Sequence, residues 1–344
     1  MYWQPNSRNN KVKVISSDKY KIHIGKESIS NLVFSEYSQI AILVDENTKR
    51  ECLPLLIKKS PSLKNTLVIK INSGEENKNM TSCNYIWEKL IEYNFDRNAL
   101  LINLGGGVIG DLGGYAASCY KRGIDFIQIP TTLLAMVDAS IGGKVGINHQ
   151  HLKNQIGLFK NPRFVFINPE FLDTLKDSEL KSGFSEIIKH CLIANKNKWE
   201  SLKKINFNNV NWESIISDSI EIKNNIVLSD PKEKNDRKKL NFGHTFAHAI
   251  ESFYIKKGTP ISHGNAVLLG ILMEIEISKL SSNEKIEIKE FILSNFDLPY
   301  LPEKKDLIIY IKHDKKNKKD KINFSLLDGI GRCSINNFFL DNDI

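Results

Sequence analysis

Residues 100–148 read LLINLGGGVIGDLGGYAASCYKRGIDFIQIPTTLLAMVDASIGGKVGIN, and the reading of this stretch decides the fold. The run Ala99-Leu100-Leu101-Ile102-Asn103-Leu104 is short, apolar and β-compatible, as a strand buried on both faces of a parallel sheet must be. Three glycines follow it, and Gly110-Asp111-Leu112-Gly113-Gly114 runs on into a helical pattern at Tyr115-Ala116-Ala117. A strand that ends in glycines and opens a helix presents bare backbone N–H groups at a helix N-terminus, a geometry suited to a phosphate or pyrophosphate. A second strand, Asp125 to Pro130, leads to Thr131 and Thr132 and then to Asp138, Gly142, Gly143 and Lys144. Two hydroxyls, a carboxylate and a lysine beside paired glycines read as the polar floor of a ligand site.

Gly105-x-Gly107-x-x-Gly110 satisfies the dinucleotide fingerprint, and Asp125 lies at roughly the spacing of a ribose-binding acid. Alone, that match is weak. Asp125 stands at the start of its strand, whereas the ribose acid belongs at a strand's end, and a βα unit (Ile40 to Arg50) already precedes the glycines. A nucleotide site is therefore expected, but outside the ordinary Rossmann register.

Working outward, Ile40 to Val44 is a buried-type strand ending at Asp45. An acid there serves either as a helix N-cap or as a ligand group in the crevice. Leu67 to Ile71 is another strand, followed by Ser73-Gly74-Glu75-Glu76-Asn77-Lys78, where Glu75 and Lys78 can share a face as a surface ion pair. A helix from Asn79 to Tyr93 then leads into the glycine strand. Strands and helices alternate to about residue 170, which predicts a largely parallel sheet. After Pro169 helical periodicity dominates, over Glu170–Lys198, Asn211–Leu228, Asn241–Tyr254, His263–Leu280 and Ser282–Ser294. The sequence thus predicts an α/β Rossmann-like N-terminal domain over 1–175 and a mainly α-helical domain over 176–344.

The 344 residues suffice for two domains, and 41% hydrophobic with 26% charged residues is the balance of a globular protein. The net charge of +8 comes mostly from lysines mixed with acids and Asn, without a basic stripe interleaved with aromatics. That is a solvated surface with a secondary pull on small anions, not a nucleic-acid footprint. Five cysteines without CxxC spacing point to a reducing compartment. No apolar run is long enough to span a bilayer, and MYWQPNSRNNKVKV has no apolar signal core. A cytoplasmic protein with no membrane partner is expected.

His244 and His248 are spaced i, i+4 on one helical face, but Thr245 replaces the glutamate of HExxH, which disfavours a zincin protease. His263 precedes Gly264 at another helix start, and Glu186 lies on an earlier helix with Lys189 three residues on. One carboxylate and two imidazoles with an open position make a catalytic rather than a structural zinc site. Lys144, Lys153, Lys189, Lys223 and Arg237 are more cations than a core tolerates unless anionic ligands neutralise them.

The motifs GGGVIGDLGGYAAS (105–118), KRG (121–123), IPTTLLAMVDASIGGKVGIN (129–148), KNQIG (153–157), SGFSEIIKH (182–190), LNFGHTFAHAIE (240–251) and HGNAVLLGI (263–271) resemble those of the 3-dehydroquinate synthases, in the family's order. The resemblance runs from about Asp45 to about Lys316. It implies oxidation of the C5 hydroxyl of 3-deoxy-D-arabino-heptulosonate 7-phosphate by bound NAD⁺, elimination of phosphate, reduction of the ketone and an intramolecular aldol closure. It also implies NAD contacts at Asp45, Glu75, Lys78, Gly106, Gly107, Val108, Asp111, Thr131, Thr132, Lys144 and Lys153. The divalent metal, zinc or cobalt, falls to Glu186, His244 and His263. Catalytic or substrate contacts fall to Asp138, Lys144, Asn154, Lys189, Lys223, Arg237, Asn241, His248 and Lys316, with Arg122 reaching the phosphate across a homodimer interface. Three positions depart from the family pattern: Pro231 where Glu is usual, Asn235 where Gly is frequent, and Leu152 where Gly is common. Asn235 is expected to tolerate a left-handed backbone. Another sugar-phosphate cyclase, a metal-dependent polyol dehydrogenase and an inactive relative are the competing readings.

Overall fold

Strands built from the apolar runs organise the first part of the chain: β1 (Lys13–Ser16), β2 (Lys21–Ile24), β3 (Ile40–Asp45), β4 (Leu67–Ile71), β5 (Leu100–Gly105), β6 (Asp125–Pro130), β7 (Lys144–His149), β8 (Leu152–Phe159) and β9 (Phe164–Ile167). These come from a computed structural model that describes residues 12–150, 152–207, 209–311 and 321–340. The chain divides into two units, Met1–Lys176 and Asp177–Ile344.

In the first unit seven strands form one sheet in the order β1-β2-β9-β6-β5-β3-β4. Only β1 runs antiparallel to its neighbour; the remaining pairs are parallel. Every residue of β5 is buried, which is why its sequence is a continuous apolar run rather than an alternation. Helices α1 (Glu46–Glu51), α2 (Leu53–Lys59), α3 (Met80–Glu92) and α4 (Gly107–Cys119) connect the strands. Leu43, Ile69 and Leu101 from the sheet bury against Ile86 and Leu90 of α3 and Leu112 and Ala116 of α4.

The strand order explains the displaced fingerprint. From β3 the chain moves to β4 at one edge; from β5 it moves the other way, to β6. The sheet therefore reverses between β3 and β5, and the carboxyl ends of strands at such a switch point are where open α/β sheets bind ligands. Asp45 ends β3 and the glycine turn follows β5, so both stand there.

The antiparallel hairpin β7–β8, which the sequence reading left unassigned, buries Val145 and Ile147 in the same core. It packs on α4 closely enough that a Cβ on Gly114 would lie 2.5 Å from Val145 Cγ1.

The second unit contains α5 (Asp177–Ala194), α6 (Lys196–Leu202), α7 (Trp212–Ser229), α8 (His244–Lys256), α9 (His263–Glu274), α10 (Ser282–Asn295) and α11 (Lys304–Ile311), followed by a hairpin of β10 (Ile322–Leu327) and β11 (Cys333–Phe339). The helix expected from Glu170 starts at Asp177, because Pro169–Thr174 is a 3₁₀ turn closed by an extended Leu175. The helix expected from Asn241 starts at His244. Residues Asp236–Asn241 are 3₁₀, and Gly243 takes φ +80° before the α-helix begins, a conformation open to glycine at no steric cost.

Candidate active site

Gly106 is the N-cap of α4 and supplies no side-chain hydrogen bond, so the first N–H groups of that helix are met by no capping side chain. Thr131 N–H donates to the Gly105 carbonyl at 3.0 Å, tying the end of β6 to the glycine turn. Thr132 Oγ1 accepts from Ala135 N–H at 3.2 Å and starts a π-helical turn, Ala135–Ala139, that carries half-buried Asp138. A Cβ on Gly105 would sit 2.5 Å from the Ile109 side chain, whereas one on Gly107 would meet only Ala139 Cβ, at an ordinary 3.5 Å. Gly105 is thus glycine for the protein's own packing. At Gly107, by contrast, the surroundings leave room for a side-chain carbon.

Asp45 closes a capping box: its Oδ1 accepts from Thr48 N–H at 2.7 Å, and its own N–H donates to Thr48 Oγ1 at 2.9 Å. Both Thr48 contacts to the carboxylate use its Oδ1.

Glu75 and Lys78 are not the surface pair that their spacing suggests. Lys78 is 4% exposed and its ammonium donates to Asp111 Oδ2 at 2.6 Å, with Glu75 Oε1 farther off at 3.7 Å. Burial alone would lower the Lys78 pKa, but the charges of Asp111 and Glu75 outweigh it and raise it, so the lysine stays charged. Asn148 of β7 donates to Glu75 Oε1 at 2.8 Å and to Lys78 through its backbone, and its own Oδ1 accepts from Asn154 N–H. The hairpin thus links Glu75, Lys78, Asp111 and Asn154 into one polar network. Lys144 and Lys153 are exposed on that hairpin.

Arg122 lies elsewhere. It has φ +70° in the turn before β6, at the amino end of that strand, and shares a surface groove with Asp96, Arg97, Asn98 and Lys121. The glycine turn is at the opposite, carboxyl end of the strands.

In the second unit Glu186 of α5, 1% exposed, faces the first residues of two helices. Its Oε1 lies 3.5 Å from His244 Nε2 and 3.7 Å from His263 Nε2. Lys189, one turn on along α5 and 2% exposed, pairs with the other oxygen, Oε2. Each ring uses its second nitrogen elsewhere: His244 Nδ1 is 3.2 Å from the Phe242 carbonyl, and His263 Nδ1 is 3.3 Å from Glu251 Oε1. With Nδ1–H donating in both, both Nε2 lone pairs are left for a shared ligand. The three ligand atoms lie within 4.8 Å of one another. Ligands about 2.1 Å from a tetrahedral ion stand about 3.4 Å apart, and the two carboxylate–imidazole separations, 3.5 and 3.7 Å, are close to that spacing.

Burial, with Lys189 nearby, drives the His244 pKa well below its usual value, keeping the ring neutral as a ligand must be. Burial also pulls on His263, but hydrogen bonds to Glu186 and Glu251 outweigh it and raise that ring to about 9. Without a metal its Nε2 carries a proton toward Glu186, and a metal would displace that proton to use the lone pair. His248, one turn after His244, is exposed, its ring centroid 5.6 Å from that of His244.

Lys223 of α7 and Arg237 of the 3₁₀ turn are buried, at 5% and 2% exposure, on elements packed against α5 and each other. Arg237 Nη1 donates to the Pro231 carbonyl at 2.7 Å, a backbone contact that does not depend on the side chain at 231. The left-handed residue of this turn is Glu233, at φ +57°, not Asn235, whose φ is −132°. The Asp230 carboxylate explains the difference: it accepts the N–H groups of Lys234, Asn235 and Arg237 and curls the backbone around itself. Asn241 donates to Glu233 Oε1 at 2.9 Å.

The sequence reading missed Glu233 and Glu251. Glu251 had a signal, since it sits three residues after His248 and seven after His244 on one helical face. Leu152 is exposed at the start of β8, and Lys316 lies outside the described residues.

Comparison with known proteins follows the same division. The family described as 3-dehydroquinate synthase N-terminal matches residues 68–182, and 3-dehydroquinate synthase C-terminal matches residues 183–317. The 3-dehydroquinate synthase of Parabacteroides distasonis is 42% identical over 316 residues, 88% of each chain. Among solved structures, 2-deoxy-scyllo-inosose synthase complexed with carbaglucose-6-phosphate, NAD⁺ and Co²⁺ aligns with a TM-score of 0.82 at 24% identity, over 95% of this chain and 94% of its own. The 2-epi-5-epi-valiolone synthase of Streptomyces hygroscopicus, with NAD⁺ and Zn²⁺ bound, aligns with a TM-score of 0.82 at 21% identity, over 97% and 96%. At those identities the two cyclases share the fold. With its family's two descriptions meeting end to end at residue 182, and a relative this similar over most of its length, the chain belongs to the 3-dehydroquinate synthase family.

Proposed function

We propose that the protein converts 3-deoxy-D-arabino-heptulosonate 7-phosphate into 3-dehydroquinate and phosphate, with NAD⁺ used catalytically and a divalent metal, zinc or cobalt, bound. The observation that carries the reading is the convergence of His244 Nε2 and His263 Nε2 on Glu186 Oε1, with buried Lys189 beside it. A polyol dehydrogenase also needs a metal. Buried Lys189, Lys223 and Arg237, however, form a cation set suited to a substrate carrying both a carboxylate and a phosphate. The relative at 42% identity bears the synthase name, which favours this substrate over those of the cyclases at 21–24%.

When bound, NAD⁺ supplies a reversible hydride acceptor and the metal a Lewis acid at the substrate's hydroxyl oxygen. The chain's own part is holding and placing. Glu186, His244 and His263 hold the ion, and Glu251 and the Phe242 carbonyl fix the two rings. Gly106, Gly107 and Val108 receive the pyrophosphate at the start of α4, with Thr131, Thr132, Glu75, Lys78, Asp111, Lys144 and Lys153 around the rest of the dinucleotide and Asp45 on the ribose. Lys189, Lys223, Arg237, Asn241, Asn154, Asp138 and His248 orient the anionic substrate and move its protons. Positioning of this kind holds the substrate and the catalytic groups in a reactive geometry for each step.

The working form in this proposal is a cytoplasmic homodimer. Five free cysteines, one of them exposed, suit a reducing compartment. Arg122, at the wrong end of β6 for the nucleotide site of its own unit, reaches the substrate phosphate of the partner subunit. Among the described residues no helix is long and apolar enough to cross a membrane.

Chelator-treated protein should release no phosphate from the seven-carbon acid phosphate until Zn²⁺ or Co²⁺ is restored, and should need NAD⁺ in addition. Phosphate release that survives metal removal contradicts the metal reading. Mixing inactive Arg122→Ala and Lys144→Ala proteins should partly restore turnover, because one site of a mixed dimer lacks neither residue. Confirmed subunit exchange without recovery excludes the shared site.

A further inference from the structure

His244 and His263 are each the first residue of a helix, α8 and α9. In both helices the N–H of the second residue is met by a side chain from another helix. Gly264 N–H donates to Ser182 Oγ of α5 at 3.0 Å, and Thr245 N–H donates to Glu274 Oε1 of α9 at 3.2 Å. Glu274 does more, since its Oε2 accepts from Gly243 N–H at 2.7 Å. One carboxylate therefore grips the backbone on both sides of His244.

Gly243 caps α8 without a side chain, so the capping oxygens arrive from α9. The two helices cross there with no slack: a Cβ on Gly270 would fall 2.0 Å from the Gly243 carbonyl oxygen. Glu274 follows Gly270 by one turn and is 0% exposed.

The charge has a reason beyond geometry. A helix N-terminus carries partial positive charge, so a cation held by the first residue of two helices is opposed by both dipoles. Glu186 offsets this from the ligand side. At α9 the second N–H is met by a neutral serine; at α8 it is met by a buried carboxylate.

Resting on the reading of Glu186, His244 and His263 as a metal centre, we propose that Glu274 is a positioning residue for that centre. Its carboxylate fixes the backbone of His244 and offsets the positive end of α8, so that the ring meets a divalent cation in one orientation.

The test uses the full chain and Co²⁺, whose visible absorption reports ligand geometry. In Glu274→Gln the amide matches the shape, loses the charge and cannot accept with both ends. Its dissociation constant for Co²⁺, measured by chelator competition, should rise about tenfold, as for other outer-shell partners of metal ligands. The absorption band should shift, kcat should fall, and NAD⁺ affinity should stay at the parent value. Glu274→Asp keeps the charge on a shorter stem and should fall between the two; it carries the same test if the amide variant does not fold. A merely structural role would lower the melting temperatures of metal-free and metal-loaded protein alike, with Co²⁺ affinity and spectrum unchanged, and that result overturns the proposal. A parent protein whose Co²⁺ stoichiometry is untouched by His244→Ala overturns the metal centre itself, and the two failures are thereby distinguished.

Discussion

Glu251 accepts a hydrogen bond from Nδ1 of His263 at 3.3 Å, and this contact turns the other nitrogen of the ring toward Glu186. A carboxylate behind a metal-binding histidine fixes its tautomer and raises its basicity. Replacing Glu251 with Gln keeps an acceptor but removes the charge. Zinc affinity should fall about tenfold, read by chelator competition, with the fold intact by circular dichroism. Parent affinity in the variant would mean that His263 is oriented by something else.

Two glycines of the turn, Gly105 and Gly107, should fail in different ways. A Cβ at position 107 meets only Ala139, at 3.5 Å, so Gly107→Val should stay near the parent in stability while NAD⁺ affinity drops steeply. Gly105→Ala drives a methyl to 2.5 Å from Ile109 and should lose about 1–3 kcal/mol of stability in urea unfolding. Unchanged NAD⁺ binding by Gly107→Val would place the cofactor elsewhere.

Lys78 and Asp111 form a pair whose side chains are 5% and 20% exposed. Lys78→Met strands the carboxylate and should cost about 3 kcal/mol. Removing both charges, as Lys78→Met with Asp111→Leu, should recover most of that stability. NAD⁺ affinity should not return with it if the pair also contacts the nucleotide. A stable double variant with parent NAD⁺ affinity would reduce the pair to a structural role.

His23 of β2 stacks on Phe166 at 5.1 Å, and burial, with Lys21 nearby, lowers its pKa from 6.5 to about 4. A histidine with a depressed folded pKa takes up a proton on unfolding. Its contribution is therefore complete above pH 6.5 and is lost as the pH falls toward 4, by at most about 3 kcal/mol. His23→Phe should flatten the fall in stability over that window relative to the parent. Parallel pH curves for the two proteins would show that His23 is not the titrating group.

What the sequence disclosed depended on how local the cause was. β5 was legible because burial on both faces forces a continuous apolar run, and its exit because the glycines mark a closely packed turn, where a Cβ on Gly105 would stand 2.5 Å from Ile109. Lys189 was legible from Glu186 by helical spacing alone. The partner of Lys78 was not, since Asp111 lies thirty-three residues away and only the fold brings it near. Asp45 had two local readings, and its capping bond to Thr48 answers one without removing the other. The hairpin β7–β8 escaped because one side of it faces solvent and its β8 strand is almost wholly exposed. Glu274 and Ser182 cap helices that begin far from them in sequence, and no local pattern announces such a cap.

The central claim is a redox-neutral ring closure, and product identification tests it most directly. The purified protein, loaded with Zn²⁺ and NAD⁺, is given 3-deoxy-D-arabino-heptulosonate 7-phosphate and followed by nuclear magnetic resonance and by absorbance of NADH. The account predicts 3-dehydroquinate and phosphate in equal amounts, with no accumulation of NADH. Stoichiometric NADH without phosphate release, or a different carbocycle, would contradict it.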